Sequence, residues 1–157
     1  MLHNEHVYTV TTTWTGNRGS GTSGYREYGR DHDIEGPGKN TVIRGSSTPV
    51  FRGDKTRYNP EDLLIGSLSA CHMLWLLHLC ADSGIAVTAY RDEASGTMHV
   101  NADGSGEFTD VVLRPVVRIA DASRAEDLPA LHHRAHELCF IARSVNFPVR
   151  CEPRTET

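Results

Sequence analysis

The longest apolar run in the chain, Leu63 to Leu79, places Leu63, Leu64, Ile65, Leu68, Leu74, Trp75, Leu76, Leu77 and Leu79 on nearly every side of a helix. Its start is well marked. Asn59 suits the capping position and Pro60 the first helical one, while Glu61 and Asp62 put negative charge where the helix dipole favours it. The pattern predicts a helix running to Ser83 with Gly84 at its C-terminal cap, roughly 36 Å long at ~1.5 Å per residue. Gly66, Ser67, Ser69, His72 and His78 interrupt the run, which argues against a membrane span. A core helix results, enclosed by sheet, by other helices or by a second subunit.

Before it the periodicity is that of strands. His6 to Thr15 is rich in β-branched and aromatic residues, and Tyr25 to Ile34 and Asn40 to Gly45 follow around Gly36-Pro37-Gly38, predicting a twisted antiparallel meander. The glycines between Gly16 and Gly24 lack the Gly-Lys-Ser/Thr ending of a phosphate loop. After the helix, Ala86 to Val100 and Glu107 to Ile119 alternate apolar and polar residues about an Asp103-Gly104 turn, which reads as a hairpin. Ser123 and Glu126 form a capping box ahead of a second helix, with Leu128, Leu131, Ala135 and Leu138 on one stripe leading to Cys139. Phe147 to Cys151 reads as a closing strand. No repeat or linker interrupts this order, so residues 1–157 are expected to form one α+β domain.

Composition narrows the function. The 157 residues are 38% apolar and 23% charged, with a formal net charge of −4 and dispersed Lys and Arg, so neither nucleic acid nor a membrane surface is an expected partner. The opening Met-Leu-His-Asn-Glu-His lacks the basic and apolar regions of a signal peptide. A cytoplasmic, reducing location is expected, with the four cysteines as thiols.

None of those cysteines forms a CxxC. Cys71 and Cys139 lie at strategic points of the two predicted helices, 139 − 71 = 68 positions apart, a spacing that suits two thiols joined by folding better than a zinc ribbon. Ser67, Ser69 and His72 surround Cys71 with polar groups that an inert apolar core would not select. A reactive thiol there requires a cation or hydrogen-bond donors to favour the thiolate. Cys139, after a charge-rich helix, is expected to be the more accessible thiol. Cys80 and Cys151 read as structural or incidental. A rival reading is metal binding by His132, His136 and Cys139, which share one helical face, although no HExxH accompanies them. A histidine-rich helix is more often a solvated face, so no metal is assigned. Arg52-Gly53-Asp54 matches an adhesion tripeptide and reads as coincidence in a cytosolic protein.

Asn59-Pro60-Glu61-Asp62-Leu63 opening a long helix, then Ser69-Ala70-Cys71, then a second helix ending His136-Glu137-Leu138-Cys139, resembles the OsmC/Ohr family of osmotically inducible and organic hydroperoxide resistance proteins. The resemblance covers the element order of nearly the whole chain. It implies an intertwined α+β homodimer, with antiparallel sheets around a long central helix. It also implies two cysteines that reduce peroxides and are recycled by a dithiol such as dihydrolipoamide, without a cofactor. An arginine upstream of the first cysteine and the glutamate of Asn-Pro-Glu complete the family's site. These carry over to Arg30, in Gly29-Arg30-Asp31, and to Glu61, with Arg18 and Arg52 as alternatives for the arginine. The chain departs from the family where the second cysteine is usually followed by proline and then serine, since it has Cys139-Phe140-Ile141-Ala142-Arg143-Ser144, and in His72 directly after Cys71.

The resulting expectation is a cysteine-based hydroperoxide reductase acting through a Cys71 sulfenic acid and a Cys71–Cys139 disulfide, with Arg30 holding the thiolate and Glu61 orienting Arg30. The alternative is a binding module of the same fold for a small apolar ligand. On one continuous helix Glu61 and Cys71 are separated by roughly 15 Å, too far for one arginine to touch both easily. A twofold partner bringing its own Glu61 or Arg30 is therefore expected.

Overall fold

The computed structural model describes residues 4–157, which form two compact units dividing between Leu63 and Leu64. In the first, β1 (Thr11–Trp14), β2 (His32–Glu35) and β3 (Ile43–Gly45) make an antiparallel sheet in chain order. The predicted meander is present with shorter strands. Residues 15–31 leave the sheet as an excursion closed by hydrogen bonds from the Thr15 N–H to the Asp31 carbonyl (2.9 Å) and from the Gly29 N–H to the Gly16 carbonyl (2.8 Å). Gly16 is required there, because a Cβ would fall 2.0 Å from the Gly29 carbonyl oxygen.

The long helix α1 (Pro60–Asp82) begins as predicted. The Asn59 side-chain oxygen accepts the Asp62 N–H at 2.8 Å and the Asp62 carboxylate accepts the Asn59 N–H at 3.2 Å, a reciprocal box. Its end is equally defined. Gly84 has φ +70°, the Ile85 N–H donates to the Cys80 carbonyl (2.8 Å) and the Gly84 N–H to that of Ala81 (3.0 Å), while Ile85 packs in one cluster with Cys80. By length and composition alone α1 is apolar enough to cross a membrane, so its Gly, Ser and His residues are a weaker argument than the sequence suggested. Packing is the better guide: Leu68, His72, Leu76 and Cys80, four residues apart, form a buried seam.

The second unit holds two three-stranded sheets, β4-β7-β9 and β5-β6-β8. Its strands are β4 (Val87–Asp92), β5 (Ser95–Val100), β6 (Gly106–Leu113), β7 (Pro115–Ile119), β8 (Val149–Cys151) and β9 (Arg154–Glu156). The expected single hairpin is split between these sheets at Glu93-Ala94 and Arg114. Pro115 has no N–H to continue a ladder, and the Asp92 carboxylate fixes the break by accepting the Arg114 N–H at 2.6 Å and the Ser69 hydroxyl of α1 at 2.5 Å. The C-terminal strands β8 and β9 add parallel to β6 and β7, so the sheets are mixed rather than purely antiparallel. The sequence reading missed β9.

Helix α2 (Leu128–Leu138) follows a 3-10 turn at Ala122–Asp127. The expected capping box is replaced by Asp121, whose carboxylate accepts both the N–H and the hydroxyl of Ser123, at 3.0 and 2.7 Å. Two apolar cores result. Leu76, Cys80, Ile85, Val117, Ile119, Leu128 and Ala135 make one, and Leu68, Val111 and Leu113 centre the other. Burial of each large side chain contributes on the order of 1.5–3 kcal/mol.

Candidate functional site

Cys71 is half-buried on α1, and Cys139 caps the C-terminus of α2. The Cys71 thiol lies close enough to Cys139 to raise its pKa, so the two thiols 68 positions apart in sequence are brought near one another. Their accessibility reverses the expectation: Cys139 is 1% exposed, and Cys71 is the more open. Cys139 is enclosed because the chain folds back over it. Its sulfur accepts the Ala142 N–H at 3.4 Å and its carbonyl accepts the Arg143 N–H at 3.0 Å, starting the 3-10 turn Ala142–Ser144. Burial, and then the Cys71 thiol beside it, push the Cys139 pKa up to about 11. At neutral pH it is a thiol rather than a thiolate.

The departure from Cys-Pro at this point has a structural consequence. Phe140 turns outward and meets Trp75 edge to face, with ring centres 5.6 Å apart, and its carbonyl is held by the Ser144 hydroxyl at 2.7 Å. Phe140, Trp75, Leu74, His78 and Cys71 line a surface pocket of about 300 Å³, mostly apolar. A larger cleft of about 680 Å³ lies over β4, β7 and β9. Three of its four arginines are matched by ion pairs, Arg91 to Glu93 (2.6 Å), Arg118 to Glu156 (3.1 Å) and Arg114 to Glu152 (3.5 Å), and no cysteine lines it. The thiol pocket is therefore the chemically equipped one.

Arg30 belongs to the first unit. Its guanidinium stacks over the Tyr25 and Tyr28 rings, at 4.5 and 4.0 Å from their centroids, and donates to the Tyr28 carbonyl (2.6 Å) and the Tyr25 carbonyl (2.8 Å). Glu61 sits in the first turn of α1 and forms no ion pair with Arg30 among the described residues. The arginine that does gather carboxylates is Arg57, with Asp31 at 3.5 Å and Asp33 and Asp54 at 3.9 Å each.

His132, His136 and Cys139 do not converge, since Cys139 turns to Cys71 while His132 faces α1. His132 Nδ1 is 3.0 Å from His72 Nε2, and Cys151 Sγ is 3.6 Å from His72 Nε2 and 4.0 Å from His132 Nδ1. The rings are nearly coplanar, with planes 11° apart and centres 5.3 Å apart. As they stand, one ring N–H donates to the other ring's lone pair. His72 and His132 are 1% and 3% exposed, and burial lowers both to a pKa of about 4, so both are neutral at physiological pH. Burial pushes the Cys151 thiol up to about 12, with Asp92 and Glu152 adding to the rise. His72 Nδ1 and His132 Nε2 have no protein partner, each at a cost of ~1–3 kcal/mol. Cys151 is thus part of a polar cluster rather than an incidental residue of the tail. The available signal was the position of His72, four residues from both Leu68 and Leu76 on the buried seam.

A sequence model for the family described as OsmC-like protein matches residues 53–154. An OsmC-like protein of unknown function from Vibrio cholerae has a similar structure, with a TM-score of 0.85 and 32% identity over 95% of this chain and 99% of that one. The organic hydroperoxide resistance protein OhrB of Bacillus subtilis shares the fold at a TM-score of 0.61 and 19% identity, over 96% of this chain and 98% of that one. The uncharacterized protein YmaD of Bacillus subtilis is 22% identical over 90% of this chain and 87% of its own length.

Proposed function

Because the chain belongs to the OsmC-like protein family, we propose that it is a thiol-dependent peroxidase reducing organic hydroperoxides, and hydrogen peroxide as a smaller substrate. The observation that carries this reading is the nearness of Cys71 to Cys139 beside an apolar pocket, with Cys71 the open thiol and Cys139 the buried one. Cys71 thiolate attacks the distal peroxide oxygen, the O–O bond breaks, and the alkoxide leaves as alcohol after taking a proton. Cys71 becomes a sulfenic acid. Cys139 then forms the S–S bond, the sulfenic oxygen departs as water, and a dithiol reductant restores both thiols by exchange. The Trp75, Leu74 and Phe140 wall favours the organic part of the substrate.

Arg30 is assigned to hold the thiolate and Glu61 to orient that arginine, with a homodimer supplying one of them from the partner. Two observations support a dimer: Leu74 and Phe140 are 62% and 66% exposed beside the pocket, and α1 leaves much of its apolar surface uncovered. Free thiols suit a reducing, cytoplasmic setting.

The experiment is peroxide titration of the reduced protein, with thiol counting and mass spectrometry. Two thiols lost per organic hydroperoxide, with a Cys71–Cys139 linked peptide, is the expected result. Unchanged thiols, with a small apolar ligand bound in the pocket, would replace the enzyme by a binding module.

A further inference from the structure

The geometry points to a metal site that the peroxidase reading does not use: His72 Nε2, His132 Nδ1 and Cys151 Sγ are placed to ligate a single zinc ion. These atoms lie within 4.8 Å of one another and come from α1, α2 and β8. A triangle with sides of 3.0, 3.6 and 4.0 Å has a point equidistant from its corners. That point is about 2.1 Å from each, close to the ~2.0–2.1 Å of a zinc–nitrogen bond and the ~2.3 Å of a zinc–sulfur bond; it lies in the plane of the three atoms, and a tetrahedral ion sits to one side of it once the two nitrogens part to about 3.3 Å. The rings are also suitably spaced. Two imidazoles held by one tetrahedral zinc have centres about 5.2 Å apart, and here the distance is 5.3 Å with the planes almost shared. Loading therefore requires the rings to pivot within their common plane rather than to separate.

The chemistry of the set narrows the ion to the softer divalent metals, of which zinc is the one proposed. Two neutral imidazoles and a thiolate suit zinc and exclude magnesium or calcium, which take oxygen ligands. The surroundings favour a ligand role over a packing role. The cluster interrupts the buried seam between Leu68 and Leu76 with polar side chains, where apolar residues would join the two cores. On loading, the Cys151 S–H bond breaks, an S–Zn bond forms, and the proton passes to solvent. The hydrogen bond between the rings is replaced by two N–Zn bonds; the donor ring changes tautomer, its proton moving from the inner to the outer nitrogen, so that the two ring protons end on His72 Nδ1 and His132 Nε2.

Reduced, chelator-stripped full-length protein titrated with cobalt(II) and then zinc(II) tests this. One equivalent of cobalt should give a near-ultraviolet thiolate-to-cobalt band that zinc abolishes, and zinc at a hundred times its Kd should raise Tm by roughly 5–10 °C. Cys151→Ser and His132→Gln should lose the band and weaken zinc by more than the ~10–100-fold that loss of an outer-shell partner costs. The Cys71→Ser/Cys139→Ser double variant should keep it, separating this site from the peroxidase. A readout on the wild type needs no variant to fold: zinc should protect Cys151 from alkylation while Cys71 still reacts. Absence of the band, equal Cys151 alkylation with and without zinc, or a band retained in Cys151→Ser and lost with Cys71 and Cys139 would each overturn the assignment.

Discussion

Cys71 and His72 are neighbours on α1, yet a turn of about 100° per residue sends them into different chemistry. Cys71 meets Cys139 at the edge of an apolar pocket, and His72 meets His132 and Cys151 on the buried seam. Both clusters join the same two helices. One contains only sulfur and is open at Cys71, so that thiol is the one within reach of an external substrate. The other joins a thiol to two imidazoles that are almost without solvent access, so what meets those rings must be small. One helix can therefore carry two independent sites one residue apart, provided that each faces a different neighbour.

The largest effect expected is that of Cys71→Ser, which should lower peroxide turnover by at least about 1,000-fold, because a serine alcohol does not ionise near neutrality. Zinc binding should be unaffected, and a simultaneous loss would show that the clusters are not separate. Cys139→Ser should permit one reduction and then stall, with Cys71 sulfinic acid accumulating in the mass spectrum. Unimpaired recycling in that variant would remove Cys139 from the mechanism.

Stability sharpens the contrast on the seam itself. Leu76→Ala should cost about 2–5 kcal/mol in urea denaturation, as expected for a fully buried leucine. His72→Leu with His132→Leu, in metal-free protein, should change stability by less than about 1 kcal/mol or increase it, because both partners of a buried polar pair are removed together. A loss as large as that of Leu76→Ala would mean that the histidines are there for packing.

Alkylation of Cys139 should rise about tenfold per pH unit between pH 7 and 10 without a plateau, since its pKa of about 11 lies above that range. The linkage has a definite sign. The folded thiol keeps its proton while the unfolded one ionises near pH ~8.5, so this contribution to stability is present below that value and declines as pH rises toward 11. The smallest effect is that of Arg30→Ala, expected to slow Cys71 alkylation roughly tenfold at pH 7, in keeping with loss of one nearby cation. An unchanged rate would return the role to Arg18 or Arg52.

Much of this architecture was legible because it rests on local signals. Asn59 and Gly84 bound α1 through hydrogen bonds within a few residues, Pro60 fits the first helical position by its fixed φ, and Asp103-Gly104 turns a hairpin by equally local means. The split of that hairpin was not legible, since it depends on Asp92 meeting Arg114 and Ser69, which are 22 and 23 positions away. Parallel addition of β8 and β9 is likewise a nonlocal choice. At the site, the two helix-borne cysteines stood out by position, but their relative exposure did not, because Cys139 is covered by residues that follow it. The histidine cluster escaped notice because its members come from three elements, and a spacing rule along one helix grouped His132 with the wrong partners.

The seam of α1 carries a consequence for cooperativity. Leu68 belongs to one apolar core and Leu76 to the other, with the polar septum at His72 between them. Each core holds its own sheet, so the amides of β5 and β6 and those of β4 and β7 belong to segments able to open with different free energies in hydrogen exchange. A ligand bridging α1, α2 and β8 at the septum would fuse these segments into a single exchange unit, turning two partial openings into one global event.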